Sequence, residues 1–297
     1  MSQLFPIEYI EPVFRPPSEA NSLILPVTNG CSWNKCTFCE MYTAPQKKFR
    51  VRDEAQVIEE IRRTSEQYQV RRIFLADGDA MALSTRRLVT ILEAIRQYMP
   101  EVERVSSYCL PSNLKNKSVA ELTELAELGL TMAYVGCESG DDEVLRLVNK
   151  GETFASSESA LTKLGAAGIT RSVMILNGLG GQRLSEQHAT HSAQLMNATQ
   201  PEYVSTLVVS FPLGEQRFRS EYHDFQPLTQ VQLFQELELF LSTLDLQQTV
   251  FRSDHASNYL VLKGVLGKDQ ARLLHQVRQA IAHPEQAHLR QEWQRGL

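Results

Sequence analysis

The chain has 297 residues, 42% hydrophobic and 22% charged, with a formal net charge of −5 at pH 7. That length allows one large α/β domain or two smaller ones, and the acidic balance gives no basic footprint for nucleic acid. No apolar run approaches the roughly 20 residues of a membrane span, and the start, Met1-Ser-Gln-Leu-Phe-Pro-Ile-Glu, lacks the basic and apolar regions of a signal peptide. Five cysteines, three of them clustered, read as reduced thiols of a cytoplasmic protein.

In chain order, residues 1–22 carry Pro6, Pro12, Pro16 and Pro17 and little periodicity, and read as an extended arm. An apolar strand over 23–28 follows, broken by Asn29-Gly30. Asp53 is the N-cap of a helix whose apolar groups include Val57, Ile58, Ile61 and Tyr68. Residues 72–76 form a short apolar strand of the parallel-sheet kind. Asp77-Gly78-Asp79 ends it, and a helix with Leu88, Ile91, Ile95 and Met99 on one face stops at Pro100. Strand 104–109 leads to the capping box Ser118-Val-Ala-Glu121 and a helix closed by Gly129. Strand 131–137, helix 141–150, a helix holding Leu161 and Leu164, and strand 169–176 come next. The turn Asn177-Gly-Leu-Gly-Gly181, helix 185–197 and strand 203–209 complete six alternations of strand and helix.

That rhythm predicts an α/β fold with a parallel sheet and helices outside, either open or barrel-shaped. Distinctive turns after successive strands gather at the carboxyl end of such a sheet, where active sites form. Beyond residue 212, helices over 228–244 and 268–282 and a short strand at 248–251 flank an aperiodic polar and aromatic stretch, 251–260.

The chemistry centres on Cys31-Ser-Trp-Asn-Lys-Cys36-Thr-Phe-Cys39, three cysteines spaced x4 then x2 directly after the first strand. Three soft thiolates suit zinc or an iron–sulfur cluster. A structural zinc site wants a fourth Cys or His at recognisable spacing, and a disulfide framework leaves one cysteine over. A triad without a fourth ligand fits a [4Fe–4S] cluster with one open iron. Cys109 and Cys137 end or follow buried strands and read as small core residues.

A cysteine triad after the first strand, with Phe38 before the last cysteine, resembles the radical S-adenosylmethionine (radical SAM) superfamily, whose commonest spacing is x3 then x2. The resemblance runs over residues 23–210. Ala76-Asp77-Gly78-Asp79 stands where the superfamily carries a Gly-Gly-Glu-like turn for the amino group of S-adenosylmethionine, with Asp in place of Glu. Val135-Gly136-Cys137-Glu138-Ser139-Gly140 and Asn149-Lys-Gly151 are similar to members of the elongator, methylthiotransferase and NifB-like type. Arg15-Pro-Pro-Ser-Glu19 and His255-Ala-Ser-Asn-Tyr259 are similar to bacterial members of undefined substrate.

The resemblance implies a partial (β/α)6 TIM-like barrel with an N-terminal arm (1–22), a core domain (23–212) and a helical C-terminal extension (213–297). It implies a [4Fe–4S] cluster on Cys31, Cys36 and Cys39, and S-adenosylmethionine held by Phe38, Asp77, Gly78, Asp79, Glu138, Ser139, Asn177 and Gly178. Glu138 and Ser139 would serve the ribose or methionyl end, and Phe38 and the glycine turn the adenine. The implied reaction is reductive cleavage to a 5′-deoxyadenosyl radical that takes hydrogen from a small-molecule substrate. Flavodoxin or ferredoxin is the implied electron donor.

No catalytic residue is assigned. His255 is the one acid/base candidate, set against the commoner use of a lone His as a structural hydrogen-bond partner. Tyr108, Asn113, Asn177, Ser210, Asp254 and Asn258 are further polar groups for the substrate side. Two other readings stand beside this one. The first is a metal- or cluster-stabilised binding protein without catalysis. The second is a tRNA-modifying relative, which the acidic charge and the lack of an RNA-binding appendage argue against.

Overall fold

The structure is a computed structural model and describes residues 5–296. It divides into two compact units. The first comprises Met1–Asn34, Met41–Val135 and Lys163–Arg171, the second Lys35–Glu40, Gly136–Thr162 and Ser172–Leu297.

In the first unit, β1 (Leu23–Pro26) is followed by the two-residue strands β2 (Thr28–Asn29) and β3 (Arg50–Val51), which pair antiparallel. Then come α1 (Glu54–Ser65), β4 (Arg72–Ala76), α2 (Thr85–Tyr98), β5 (Arg104–Cys109), α3 (Val119–Glu127) and β6 (Leu130–Glu138). Strands β1, β4, β5 and β6 run parallel in that order.

Sequence chemistry sets these elements. Asp53 and Ser84 accept backbone N–H groups to start α1 and α2, and Ser118 with Glu121 forms the expected capping box. One sheet face packs Leu25, Ile73, Leu75 and Val105, all fully buried like Leu88 and Leu92 of α2. Each such side chain contributes about 1.5–3 kcal/mol by leaving water. The other face carries an aromatic cluster of Phe74, Tyr108 and Tyr134 with Ile24 and Met132.

The arm closes onto that aromatic face. Ser18 and Glu19, in a 3-10 turn at Pro17–Glu19, both bond the Tyr134 hydroxyl, at 2.8 and 2.6 Å. Glu19 is fully buried and also meets Arg104 at 2.7 Å and the Ser22 hydroxyl.

The second unit takes up α4 (Asp142–Leu147), α5 (Phe154–Ala166), β7 (Thr170–Asn177), α6 (Gly181–Thr199), β8 (Tyr203–Val208), α7 (Gln216–Arg219), α8 (Gln230–Thr243), β9 (Val250–Ser253), β10 (Leu262–Val265) and α9 (Gln270–Ala282). The last turn of α5 and the start of β7 lie in the first unit, and the end of β6, from Gly136, lies in the second. β7, β8 and β9 are parallel, and β10 returns antiparallel on β9. Helix α8 buries Leu233, Phe234, Leu237, Phe240 and Leu241 and packs against both α6 and α9.

Along the chain, β1, β4, β5, β6, β7 and β8 alternate with helices, the (β/α)6 connectivity of a partial barrel. The extension is helical as expected and adds the pair β9–β10. Asn258 holds the edge of β8 as a strand residue would: its Oδ1 accepts from Val208 N–H at 2.8 Å and its amide donates to the Thr206 carbonyl at 2.8 Å. Among the described residues, no helix is long and apolar enough to cross a membrane.

Candidate cofactor site

The cysteines fall in both units, Cys31 in the first and Cys36 and Cys39 in the second. Among the described residues, no group of three or more His, Cys, Asp or Glu side chains is gathered for a metal ion. The ligand set is therefore a property of the sequence, and the surroundings of each sulfur test whether a cluster fits.

In the first unit, the turn after β4 lies against the start of the cysteine loop. Gly78, at φ +85°, rests on the Gly30 backbone so closely that any Cβ would collide with it, so only glycine serves. Asp77 fastens the turn. Its carboxylate takes the Lys47 ammonium and, at 3.0 Å, the Tyr42 hydroxyl. Its backbone N–H and carbonyl pair with Thr28 at 3.2 and 2.9 Å.

Asp79 is differently placed. It is 1% exposed, and one carboxylate oxygen, Oδ2, accepts from the Ser32 hydroxyl and from Asn113 Nδ2 at 3.3 Å. Asn113 is itself aimed by the Leu110 N–H on its Oδ1 at 2.7 Å. The other oxygen, Oδ1, is buried with no hydrogen-bond partner among the described residues. Burial pushes the Asp79 carboxyl up, against the pull of Ser32, Asn113 and the Lys117 charge. A buried carboxylate oxygen without a donor is costly, and it fits an incoming ammonium.

Cys31 sits in the same unit. Asn34, left-handed at φ +44°, directs its N–H at Cys31 Sγ at 3.4 Å and anchors its amide on the Tyr42 carbonyl at 2.8 Å. Asparagine tolerates that conformation, so the extra residue of the x4 spacing is absorbed in a turn that donates to sulfur.

In the second unit, Cys36 is buried and Cys39 half-buried. The Cys39 N–H donates to the Cys36 carbonyl at 3.3 Å, the Thr37 N–H to the Val148 carbonyl at 3.0 Å, and Arg217 to the Cys39 carbonyl. Lys150 is buried, 3.1 Å from Glu138 Oε1 and 5.9 Å from the Phe38 ring centroid. Burial works to lower the Lys150 ammonium, but the Glu138 carboxylate and the Cys36 thiolate hold it above the usual lysine range. A cation there favours the thiolate that a metal requires.

An N–H on one sulfur and a buried ammonium beside another are the surroundings of ligand thiolates. Cys137 contrasts with them, its thiol fully buried and pushed up to about 12 by desolvation; it is a core residue, as is buried Cys109.

Phe38 packs against a buried apolar cluster that includes Val144, Val148, Leu176 and Leu179, surroundings suited to a base. Glu138 adopts φ +65° beside Gly136, where a Cβ would strike its carboxylate. Ser139 is fully buried and not open to a ligand. Its hydroxyl contacts His188 Nδ1 at 2.7 Å and accepts the Asp141 N–H at 2.9 Å.

Asn177 shares a strand face with Val173 and Ile175, not with Leu176. It lines a cavity of about 20 Å³ with Leu233, Phe234 and Leu237 of α8, room for about one water. Gly178, at φ +83°, donates its N–H to Glu236 of α8 at 2.6 Å. His255 serves its own turn, accepting the Ser257 N–H on Nδ1 at 3.1 Å, and Asp254 pairs with Lys263 at 2.8 Å. Lys150 stood in the Asn149-Lys-Gly151 motif without an assigned role, and Ser32 and Glu236 had no signal of their own, since a buried polar side chain carries no periodicity.

The Radical SAM superfamily model matches residues 25–192. No curated protein matches the chain. Among solved structures, the chain is similar to coproporphyrinogen III oxidase (HemN) from Escherichia coli, at TM-score 0.57 and 16% identity over 74% of this chain and 52% of that one. It is also similar to the radical S-adenosylmethionine methyltransferase TsrM from Kitasatospora setae, at TM-score 0.51 and 20% identity over 63% and 35%. The Elp3 protein of Methanocaldococcus infernus gives TM-score 0.50 and 12% identity over 88% and 63%. The chain thus spans between about a third and two thirds of the length of these proteins, and the likeness is one of fold.

Proposed function

We propose that this chain, which belongs to the radical SAM superfamily, holds a [4Fe–4S] cluster on Cys31, Cys36 and Cys39 and binds S-adenosylmethionine for hydrogen abstraction from a small-molecule substrate. Superfamily members are enzymes, and the cluster, bound and reduced, would supply the electron for cleavage of the sulfonium.

The chain's own residues bind and orient. Asp79 Oδ1 receives the ammonium, with Ser32 and Asn113 fixing its direction. Phe38 and the apolar patch around Leu176 take the base, with the backbone of the Gly178 turn beside it. Glu138, neutralised by Lys150, serves the ribose hydroxyls. Ser139 acts through the turn it holds. A flavodoxin or ferredoxin delivering the electron in the cytoplasm completes the reading.

The observation that carries this function is the buried, donor-less oxygen of Asp79, aimed from the cysteine loop by Ser32. Anaerobic reconstitution should give about four irons and four sulfides per chain, and 5′-deoxyadenosine on reduction with S-adenosylmethionine. Asp79→Ala should keep the iron and lose the product. One bound zinc and no cleavage product would leave a metal-stabilised binding protein instead.

A further inference from the structure

The C-terminal extension reaches the turn after β7 through a single carboxylate. Glu236 of α8 is buried, and burial raises its carboxyl. Its Oε1 accepts the Gly178 N–H at 2.6 Å, and its Oε2 the Ser185 hydroxyl at 2.6 Å. Gly178 is left-handed, with Leu233 of α8 only 3.0 Å from where a Cβ would stand. The turn is therefore moulded on the helix by shape and by charge.

The same carboxylate lies 4.0 Å from His188 Nε2. That nitrogen meets the Leu176 carbonyl at 3.0 Å, and a carbonyl only accepts, so Nε2 carries the hydrogen. In the neutral ring Nδ1 then accepts from Ser139. One buried polar chain thus runs from α8 to both the Gly178 turn and the Glu138-Ser139 turn. Ser139, His188 and Glu236 have the composition of a hydrolytic triad, but all three are buried and Nε2 is spent on a carbonyl. The arrangement positions backbone; it does not deliver a nucleophile.

We propose that Glu236 is a positioning residue for nucleoside binding. It holds the Gly178 N–H, and through it the turn Asn177-Gly-Leu-Gly-Gly181, in the form that takes the base. This rests on the reading of that turn as part of the S-adenosylmethionine site. It makes α8 of the extension a component of cofactor recognition, separate from any substrate role.

The test uses the reconstituted full chain and three ligands: S-adenosylmethionine, 5′-deoxyadenosine and L-methionine. Removing a charged acceptor from a buried N–H typically loses a bond worth about 1.5–3 kcal/mol, or roughly 10- to 150-fold in affinity. Glu236→Ala should weaken S-adenosylmethionine and 5′-deoxyadenosine at least tenfold while iron content and methionine binding stay unchanged. Glu236→Gln, which keeps an acceptor oxygen, should recover most of the loss. If Glu236→Ala does not fold, Glu236→Asp withdraws the acceptor by one methylene and should show the same selective loss.

Unchanged nucleoside affinity in the folded variant, or equal loss for all three ligands, overturns the proposal. A parent protein that binds no S-adenosylmethionine defeats the functional reading itself, a distinguishable outcome.

Discussion

Lys150 and Glu138 form an ion pair closed to solvent, with 3.1 Å between Nζ and Oε1 and side chains 4% and 9% exposed. Glu138 ends β6 in a left-handed conformation, and Lys150 lies over Phe38. Removing one partner of a buried pair strands the other charge, at a cost of about 3–5 kcal/mol. Lys150→Met should therefore shift the urea midpoint strongly downward, and Lys150→Met with Glu138→Gln should regain much of it. A single variant within about 1 kcal/mol of the parent would mean that water reaches the pair.

Asp79 sets binding against stability. Its folded pKa is raised by burial, so the folded chain holds the proton more tightly than the unfolded one. Its contribution is most favourable below the unfolded carboxylate pKa and is lost as pH rises through the folded value. At neutral pH the ionised side chain is a burden on the ligand-free protein. Asp79→Asn should raise Tm at pH 7 by about 2–4 °C, with the gain shrinking toward pH 4, and should weaken S-adenosylmethionine about tenfold or more. Thermal unfolding across pH without ligand checks the sign; a lower Tm at pH 7 contradicts it.

Glu19 titrates in the opposite sense. Burial opposes its ionisation, but bonds from Ser22 and Tyr134 and the Arg104 charge prevail and hold the carboxyl below its ordinary range. Its stabilisation is present above the unfolded pKa and disappears as pH falls through the folded one. Glu19→Gln should cost about 1.5–3 kcal/mol at pH 7, and the two stability curves should converge in acid. Parallel curves down to pH 3 would rule the carboxylate out.

The cysteines should separate by reactivity. Cys137, pushed up to about 12, and buried Cys109 should resist iodoacetamide at pH 8 in the folded apoprotein, while half-buried Cys31 and Cys39 react. Cys137→Ala should retain iron, and alanine at Cys31, Cys36 or Cys39 should abolish it. Peptide mass spectrometry and iron assay read both. Early labelling of Cys137 would contradict its place in the core.

The helices were legible because their signals are local. Asp53 and Ser118 cap where they stand, and Met99 ends α2 before Pro100. Helix α6 begins at Gly181, earlier than the expected 185, because the glycine turn itself supplies its first residues. The pairs β2–β3 and β9–β10 were only partly visible, since strands of two to four residues hold too few alternations to register. Tyr68, expected on the face of α1, lies beyond its end and is 46% exposed.

The site was legible as motifs and illegible as partners. Asp77 and Asp79 flank one glycine in the sequence, yet one meets an ammonium and a phenol while the other keeps an oxygen in reserve. That division depends on Lys47, Tyr42, Ser32 and Asn113, which lie 30 to 47 residues away along the chain. Asn177 and Ser139 read as ligand-facing from their turns, but their side chains serve the packing of α8 and α6. Which way a turn residue points is decided by the helix that covers it, and no short motif encodes that.

Where Gly78 rests on Gly30, and Gly30 in turn presses on the Lys47 carbonyl, three main chains are stacked with no side chain between them. Neither loop can be enlarged while its neighbour stays put. Positions 30 and 78 therefore behave as one inherited letter. A mutational library that varies either alone should return almost nothing but the parent, whereas the left-handed turn at Asn34 holds the extra residue of the x4 spacing away from that stack.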